Sequence, residues 1–321
     1  NDRLKIELQM YDTVDFHLNI FVKEIVVRNL EGRDREVRLF FNHDFHIYEN
    51  EVGDTAYYDP DTMAIIHYKS QRYFLINCCD PAKCGIDHFA TGIKEVAGAE
   101  GTWRDAEDGT LSGNPIAQGS VDSTLGINLR IKAHGENVAH YWIAAGTKYS
   151  EVVKLNKDIW EKTPEELIRR TENYWKLWVN KEMFNFHDLP QRFVSFFKRS
   201  LLIIRTQIDN NGAIIAANDS DIVQLGRDTY SYMWPRDGAL VAYALIKSGY
   251  MDATKRFFQF CADVISKDGY LLHKYNPDRS FASSWHPWLK DDKKSLPIQE
   301  DGIALVIWAL WHHYDEFRDI E

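Results

Sequence analysis

The chain has 321 residues, 45% of them hydrophobic and 27% charged, with a formal net charge of -10 at neutral pH. That length favours two domains over a single core, and an acidic balance with no basic stripe excludes nucleic acid as the expected partner. No apolar run approaches the roughly 18–20 residues of a membrane-spanning helix and no charged-then-apolar leader opens the chain, so no membrane partner is expected.

From Leu4 to about Val153 the pattern is β. Asp15-Phe-His-Leu-Asn-Ile-Phe-Val places Phe16, Leu18, Ile20 and Val22 on one face of an extended segment. Val37-Arg-Leu-Phe-Phe, Ala64-Ile-Ile-His-Tyr and Tyr73-Phe-Leu-Ile-Asn repeat short apolar or alternating runs, and Ile127-Asn-Leu-Arg-Ile and Ala139-His-Tyr-Trp-Ile-Ala-Ala form a second series. Glu31-Gly32, Val52-Gly53, Asp59-Pro60-Asp61 and Asp80-Pro81 punctuate them as turns. Glu100 to Ser123, rich in Gly, Asp and Ser, reads as a long loop. Short strands with close turns and no intervening helices predict an antiparallel sandwich over residues 1–155. Cys78, Cys79, Cys84 and Cys261 are too few and too clustered for a disulfide framework. The Cys-Cys-x4-Cys group lacks a spaced second pair for a metal, so reduced thiols in a cytoplasmic protein are expected.

Residues 156–187 read as a linker carrying a helix. Asn156 to Lys162 break the β register, and Thr163-Pro-Glu-Glu166 offers an N-cap, a proline at the first helical position and a glutamate three after the cap. Ile168, Thr171, Trp175 and Trp178 then share one helix face. From residue 188 to 321 the pattern is helical in pairs. Asp188-Leu-Pro starts a helix with the apolar set Phe193, Phe196, Phe197, Leu201 and Ile204, stopped by Asp209-Asn-Asn-Gly212 and followed by a short extended Ala213-Ile-Ile. A second helix carries Leu240, Tyr243, Ala244 and Ile246. Asp252 is the expected cap of a third, with Phe257, Phe258, Cys261 and Val264 inward. A long connection from Tyr270 to Glu300 leads to a fourth, starting near Asp301, that should bury Ile303, Val306, Ile307, Leu310 and Trp311, with Trp308 and Trp311 in packing or surface-helix roles. Helix, long aromatic loop, helix, short turn is the rhythm of a helical-hairpin barrel with its loops gathered at one end, where sites are usually built.

The loop residues carry the chemistry. In Tyr230-Ser-Tyr-Met-Trp-Pro-Arg-Asp237 the rings of Tyr230, Tyr232 and Trp234 alternate, so an extended segment projects all three to one side. Arg236 adds a fixed fork of donors beside the carboxylate of Asp237. Aromatic faces beside charged hydrogen-bonding groups suit a sugar, with its apolar C–H faces and rim of hydroxyls. Composition alone leaves an aromatic core cluster with a surface ion pair as the alternative. Glu300 and Asp301 are adjacent and so are poorly placed to face one cleft as a catalytic pair; Asp301 reads as an acid favoured by a helix N-terminus. His273 and His286 have no partner at ligand spacing, so no metal is assigned to them.

Tyr230-x-Tyr-x-Trp-Pro-Arg-Asp237, Gly269-Tyr-Leu-Leu-His-Lys-Tyr-Asn276, Ser284-Trp-His-Pro-Trp288 and Pro297-Ile-Gln-Glu-Asp-Gly302 resemble glycoside hydrolase family 15, which includes glucoamylases, glucodextranases and some prokaryotic trehalases. The resemblance implies a super-β-sandwich, a linker helix and the first part of an (α/α)6 barrel. It implies an exo-acting, inverting enzyme that releases β-glucose from the non-reducing end of α-linked oligo- or polysaccharides. Arg236 and Asp237 would bond the terminal sugar, Trp234 would pack against it, Tyr230 would approach the catalytic base and water, and Trp285 would form a wall. No cofactor is implied, and a structural calcium stays open. The family's catalytic glutamates have no counterpart in this stretch, and both termini look cut from a longer chain, so the acid and base are expected beyond residue 321. That also leaves a secreted form open. The alternatives are a trehalase or glucodextranase of the same family, a sandwich-plus-barrel phosphorylase, or a carbohydrate-binding relative without catalysis.

Overall fold

In the computed structural model, which describes residues 1–49, 53–182, 184–218, 230–282 and 289–320, the first half of the chain pairs into antiparallel sheets. Residues 1–174 form one unit and residues 175–321 a second. The strands of the first unit are β1 (Ile6–Val14), β2 (Ile20–Asn29), β3 (Arg35–His43), β4 (Asp54–Asp59), β5 (Ala64–Lys69), β6 (Arg72–Asp80), β7 (Lys83–Cys84), β8 (His88–Ile93), β9 (Ile116–Gly119), β10 (Val121–Ile131) and β11 (Glu136–Gly146). The large sheet runs β1-β2-β11-β6-β5-β4-β9, with β7 paired to β6; the small sheet runs β3-β10-β8. Between them, Ile25, Val27, Ile65 and Ile76 of the large sheet meet Val37, Leu125, Ile127 and Leu129 of the small one. Each such side chain contributes roughly 1.5–3 kcal/mol when fully buried.

The other face of the large sheet is covered as well. Ile20, Val22, Ala64, Ile66, Leu75 and Trp142 pack with Val152, Leu155 and Ile159 of helix α1 (Tyr149–Lys162) and with Leu167 of α2 (Pro164–Asn180). Burial on both faces explains why β5 and β6 read as continuous apolar runs rather than alternation. Asn156 seals this layer, its Oδ1 accepting from Trp142 Nε1 at 2.9 Å. Residues 156–162 are therefore helix rather than a break. The cap expected at Thr163 is present, its Oγ1 accepting from Glu166 N at 3.4 Å.

Two β expectations need correction. The segment from Asp15 does not begin a strand: Asp15 Oδ1 accepts from His17 N at 3.0 Å and Leu18 N at 2.7 Å, an Asx turn, and β2 starts only at Ile20. Phe16 is stacked on Tyr174 with ring centroids 4.4 Å apart instead of lining the strand face. The expected loop from Glu100 to Ser123 also contains β9 and the start of β10, whose buried Asp122 and Ser123 bond to long-range partners. Asp122 Oδ2 accepts from Thr102 N at 2.6 Å and Asn42 Nδ2 at 3.0 Å. Ser123 Oγ bonds His67 Nε2 at 2.7 Å and His43 Nδ1 at 3.2 Å, and His43 Nε2 bonds Tyr141 Oη at 2.8 Å.

In the second unit, α3 (Gln191–Thr206), α4 (Pro235–Lys247), α5 (Met251–Val264) and α6 (Gly302–Phe317) share a core of Leu201, Ala242, Leu245, Phe257, Val306 and Ala309. Close approach depends on small residues. A Cβ at Gly238 would lie 2.4 Å from Phe257 Cε2, and one at Gly212 would lie 2.1 Å from the Arg256 carbonyl oxygen. The turn predicted at Asp209 is present, its Oδ1 accepting from Asn211 N at 2.8 Å and Ala213 N at 2.9 Å. Helix α5 starts at Met251 after Tyr250, so Asp252 lies in the first turn and is not the cap. In α3, Val194 and Leu201 are buried while Phe193 and Phe196 are exposed. The inward face of α6 is Gly302, Val306, Ala309 and His313, whereas Ile307 (61% accessible), Leu310 and Trp311 (56%) face outward, contrary to expectation. A helix apolar around its whole circumference offers no periodicity from which to choose a face. Among the described residues, no helix is long and apolar enough to cross a membrane.

Burial holds His43 at about 3 and His67 well below the usual imidazole value, the latter also through the charges of His43 and Lys94. Unfolded, both titrate near 6.5. Below that pH the unfolded chain binds more protons, so stability is fully present above about 6.5 and falls on acidification towards 3. The slope is up to about 1.4 kcal/mol per pH unit for each histidine. Urea denaturation of the chain at neutral and mildly acid pH should show this loss, and His67→Gln should flatten it; an unchanged slope in that variant would refute the assignment. Gly212→Ala, strained at φ +94° and blocked by Arg256, should lower stability by about 3 kcal/mol, read as a reduced urea midpoint at constant m.

Candidate active site

Two loops of the second unit meet through their backbones. Met233 N donates to Tyr275 O and Tyr275 N to Met233 O, both at 2.9 Å. On the other edge Ala216 N donates to Tyr232 O at 3.1 Å and Ala217 N to Tyr230 O at 3.2 Å. Isolated bridges from Ile215 through Met233 and Tyr275 to Phe281 make a narrow antiparallel ribbon. Its core face carries Met233 and Tyr275, both buried. The Tyr275 hydroxyl accepts from Leu272 N at 2.8 Å and donates to Val264 O at 3.4 Å, and burial raises its pKa.

Alternation along the ribbon then gathers the aromatic residues. The Tyr230 and Trp234 ring centroids are 5.9 Å apart and those of Tyr232 and Trp234 5.7 Å apart. Trp234 Nε1 donates to His273 Nε2 at 3.3 Å. Lys274, buried like Trp234, sets its Nζ 3.9 Å from the Tyr232 ring centroid and 5.5 Å from that of Trp234, within cation–π range. Trp234 is 4% accessible and Tyr230 42%, so Tyr230 presents the open ring and Trp234 backs it.

Pro235 opens α4 directly after the ribbon, which places Arg236 and Asp237 in its first turn. A carboxylate is favoured there by the helix dipole. Arg236 Nε lies 3.7 Å from Asp237 Oδ2, and its Nη1 lies 3.9 Å from Asp301 Oδ2. Asp301 stands at the N-cap position of α6 but makes no side-chain cap bond, so its carboxylate serves Arg236 instead. Asp237 also borders a cavity of about 400 Å³ whose walls are Ile204, Gln207, Ile215, Leu240 and Val241.

Within one continuous stretch the structure thus sets Tyr230 beside Trp234 and Arg236 beside Asp237. Trp285, with His286 and Trp288, lies outside the described residues. Lys274 and the pairing of Arg236 with Asp301 were not anticipated. Their signal was the alternation of His273-Lys-Tyr275 opposite Tyr232-Met-Trp234, which has meaning only once the two loops are paired.

Residues 194–315, which contain all of these groups, match the sequence profile of glycosyl hydrolases family 15. This part of the chain resembles glycoside hydrolase family 15. The whole chain is 25% identical over 320 residues to an uncharacterized glycosyl hydrolase of Methanocaldococcus jannaschii, a match spanning 97% of this chain and 47% of that relative. The chain therefore spans about half the length of this curated relative. The crystal structure of a bacterial glucoamylase complexed with acarbose superposes with a TM-score of 0.63 at 16% identity, over 87% of this chain and 41% of that one. This is a likeness of fold. The family 15 profile begins within α3 and ends within α6, so it takes in the ribbon and both helices that carry the Arg236 ion pairs.

Because the Tyr275 hydroxyl ties the ribbon to α5, Tyr275→Phe should cost about 1–3 kcal/mol by leaving the buried Leu272 N–H unsatisfied. It should also weaken the near-ultraviolet circular dichroism of the aromatic group. A variant with wild-type stability and spectrum would show that the ribbon is held by other contacts.

Proposed function

We propose that this chain forms the sugar-holding wall of an exo-acting, inverting α-glucoside hydrolase that releases β-glucose from the non-reducing end of α-glucans. The observation that carries the reading is the ribbon that sets Tyr230, Trp234 and Lys274 beside the Arg236–Asp237 turn of α4. The fold likeness to a bacterial glucoamylase supports the substrate class. Helices α3 to α6 are, in this reading, the opening part of an (α/α)6 barrel.

The residues divide the work by chemistry. Tyr230, rather than the buried Trp234 that the motif implies, offers the accessible ring for the apolar face of the terminal glucose. Arg236 donates to hydroxyl oxygens through its planar fork, and Asp237 accepts from hydroxyl protons. Asp301, with Oδ2 3.9 Å from Arg236 Nη1, gives the guanidinium a second carboxylate neighbour. Inversion needs a general acid and a general base about 6.5–9.5 Å apart, leaving room for the attacking water. In this reading the acid and base belong to the part of the protein outside this chain, which spans about half the length of its curated relative. Trp285 is retained as a wall of the pocket on the motif alone.

The full-length protein should release β-glucose from an α-glucan, followed by anomer-resolved NMR; release of α-glucose, or no glucose from starch, isomaltose or trehalose, would overturn the reading. Asp237→Ala should lower kcat/KM by about 100-fold or more through lost hydrogen bonds to the reacting sugar. A rate near that of the parent would remove Asp237 from the site.

A further inference from the structure

In the first unit, strand pairing brings two thiols together. β6 turns into β7 through Pro81-Ala82, and Asp80 Oδ1 fastens the turn by accepting from Ala82 N and Lys83 N, each at 2.8 Å. Gly85 N donates to Cys78 O at 2.9 Å, so residues 78 and 85 form a hydrogen-bonded pair. Pair types alternate along antiparallel strands, which makes Cys79 and Cys84, in register opposite one another, a non-hydrogen-bonded pair. Opposed residues share one face of the sheet. In such pairs the Cα atoms lie about 4.5 Å apart, within the roughly 4.4–6.8 Å that a disulfide spans.

The neighbours argue against other uses of these sulfurs. Cys79 continues a row across the large sheet through His140 to Glu24. The His140 nitrogens face carboxylates, Nε2 at 3.2 Å from Glu24 and Nδ1 at 3.5 Å from Glu165, so the ring is not offered to sulfur as a base. Among the described residues no group of three or more His, Cys, Asp or Glu is arranged to hold a metal ion. Cys78 points into the core between the sheets.

We propose that Cys79 and Cys84 form a redox-responsive pair that closes a reversible disulfide across the β6–β7 hairpin when the chain meets a disulfide oxidant such as oxidised glutathione. All four thiols are free in the structure, with Cys84 exposed and Cys79 buried. Burial, and then the adjacent Cys84 thiol, raise the Cys79 pKa well above the ordinary thiol value. Cys84 is therefore the attacking group. Its thiolate displaces one glutathione thiolate from the oxidant and leaves a mixed disulfide. Cys79 then loses its proton to the medium and attacks the Cys84 sulfur, releasing the second glutathione thiolate, and both departing thiolates take up protons. Two protein thiols are oxidised by two electrons and one disulfide is reduced to two thiols. Because the Asp80 turn already holds the register, closure needs no strand rearrangement. It fixes the point where the chain leaves the large sheet, through Gly85, for β8 of the small one.

The test treats the full chain with oxidised glutathione, alkylates remaining thiols after denaturation, and digests with trypsin. Free thiols should fall from the four of the sequence to two. Cleavage after Lys83 should yield peptides 73–83 and 84–94 joined through Cys79 and Cys84 and separated by reductant. Cys78→Ser should retain the link, whereas Cys79→Ser and Cys84→Ser should abolish it. Four free thiols after treatment, a link that survives in Cys79→Ser, or a Cys84 found only as a glutathione adduct or a chain-to-chain disulfide would each overturn the proposal.

Discussion

The second unit depends on two reciprocal backbone hydrogen bonds between Met233 and Tyr275. Each residue sends its side chain into the core, Met233 among the helices and Tyr275 to a hydroxyl anchor on α5, so the depth of the ribbon is fixed on that side. Alternation then dictates what the opposite side presents. Tyr232, Trp234 and Lys274 cluster there, the last two buried, although 39 residues separate Trp234 from His273, its hydrogen-bond partner. Pro235 converts the end of the ribbon into the start of α4 with one residue, and the orientation of Arg236 and Asp237 follows from that junction. The site is thus set mainly by main-chain geometry and core packing.

The first unit works by a different economy. Its large sheet is buried on both faces, and among the polar residues that enter the interior Ser123, His43, His67 and Tyr141 form one hydrogen-bonded group. Such a network rigidifies the join between sheets when every partner is in place. It also makes the interior sensitive to protons, since neither imidazole can charge without a burial penalty.

What could be read in the sequence follows the range of the forces involved. The β-then-α division, the Asp209 turn and the Thr163 cap were legible because each is encoded within a few residues. That Tyr230 lies beside Trp234 and Arg236 beside Asp237 was legible for the same reason, since all four stand in one stretch of eight. The polar beginning of β10 was not, because Asp122 and Ser123 are buried only through partners as distant as Asn42 and His67. The inward face of α6 was hidden by an excess of apolar residues rather than by a lack of them. Lys274 and Asp301 depended on contacts across separate loops, which no local pattern records.

The outward side of α6 has a consequence for solution behaviour. Ile307, Leu310, Trp311 and Tyr314 form a continuous greasy band along a helix of 16 residues, and Phe193 and Phe196 add to the apolar surface on α3. Surface of this kind favours reversible clustering over dispersion as concentration rises. The polypeptide as it stands here should therefore scatter more light per unit mass in concentrated samples and bind hydrophobic dyes while fully folded. Mild detergent, by coating the band, should reverse both without disturbing the sheets.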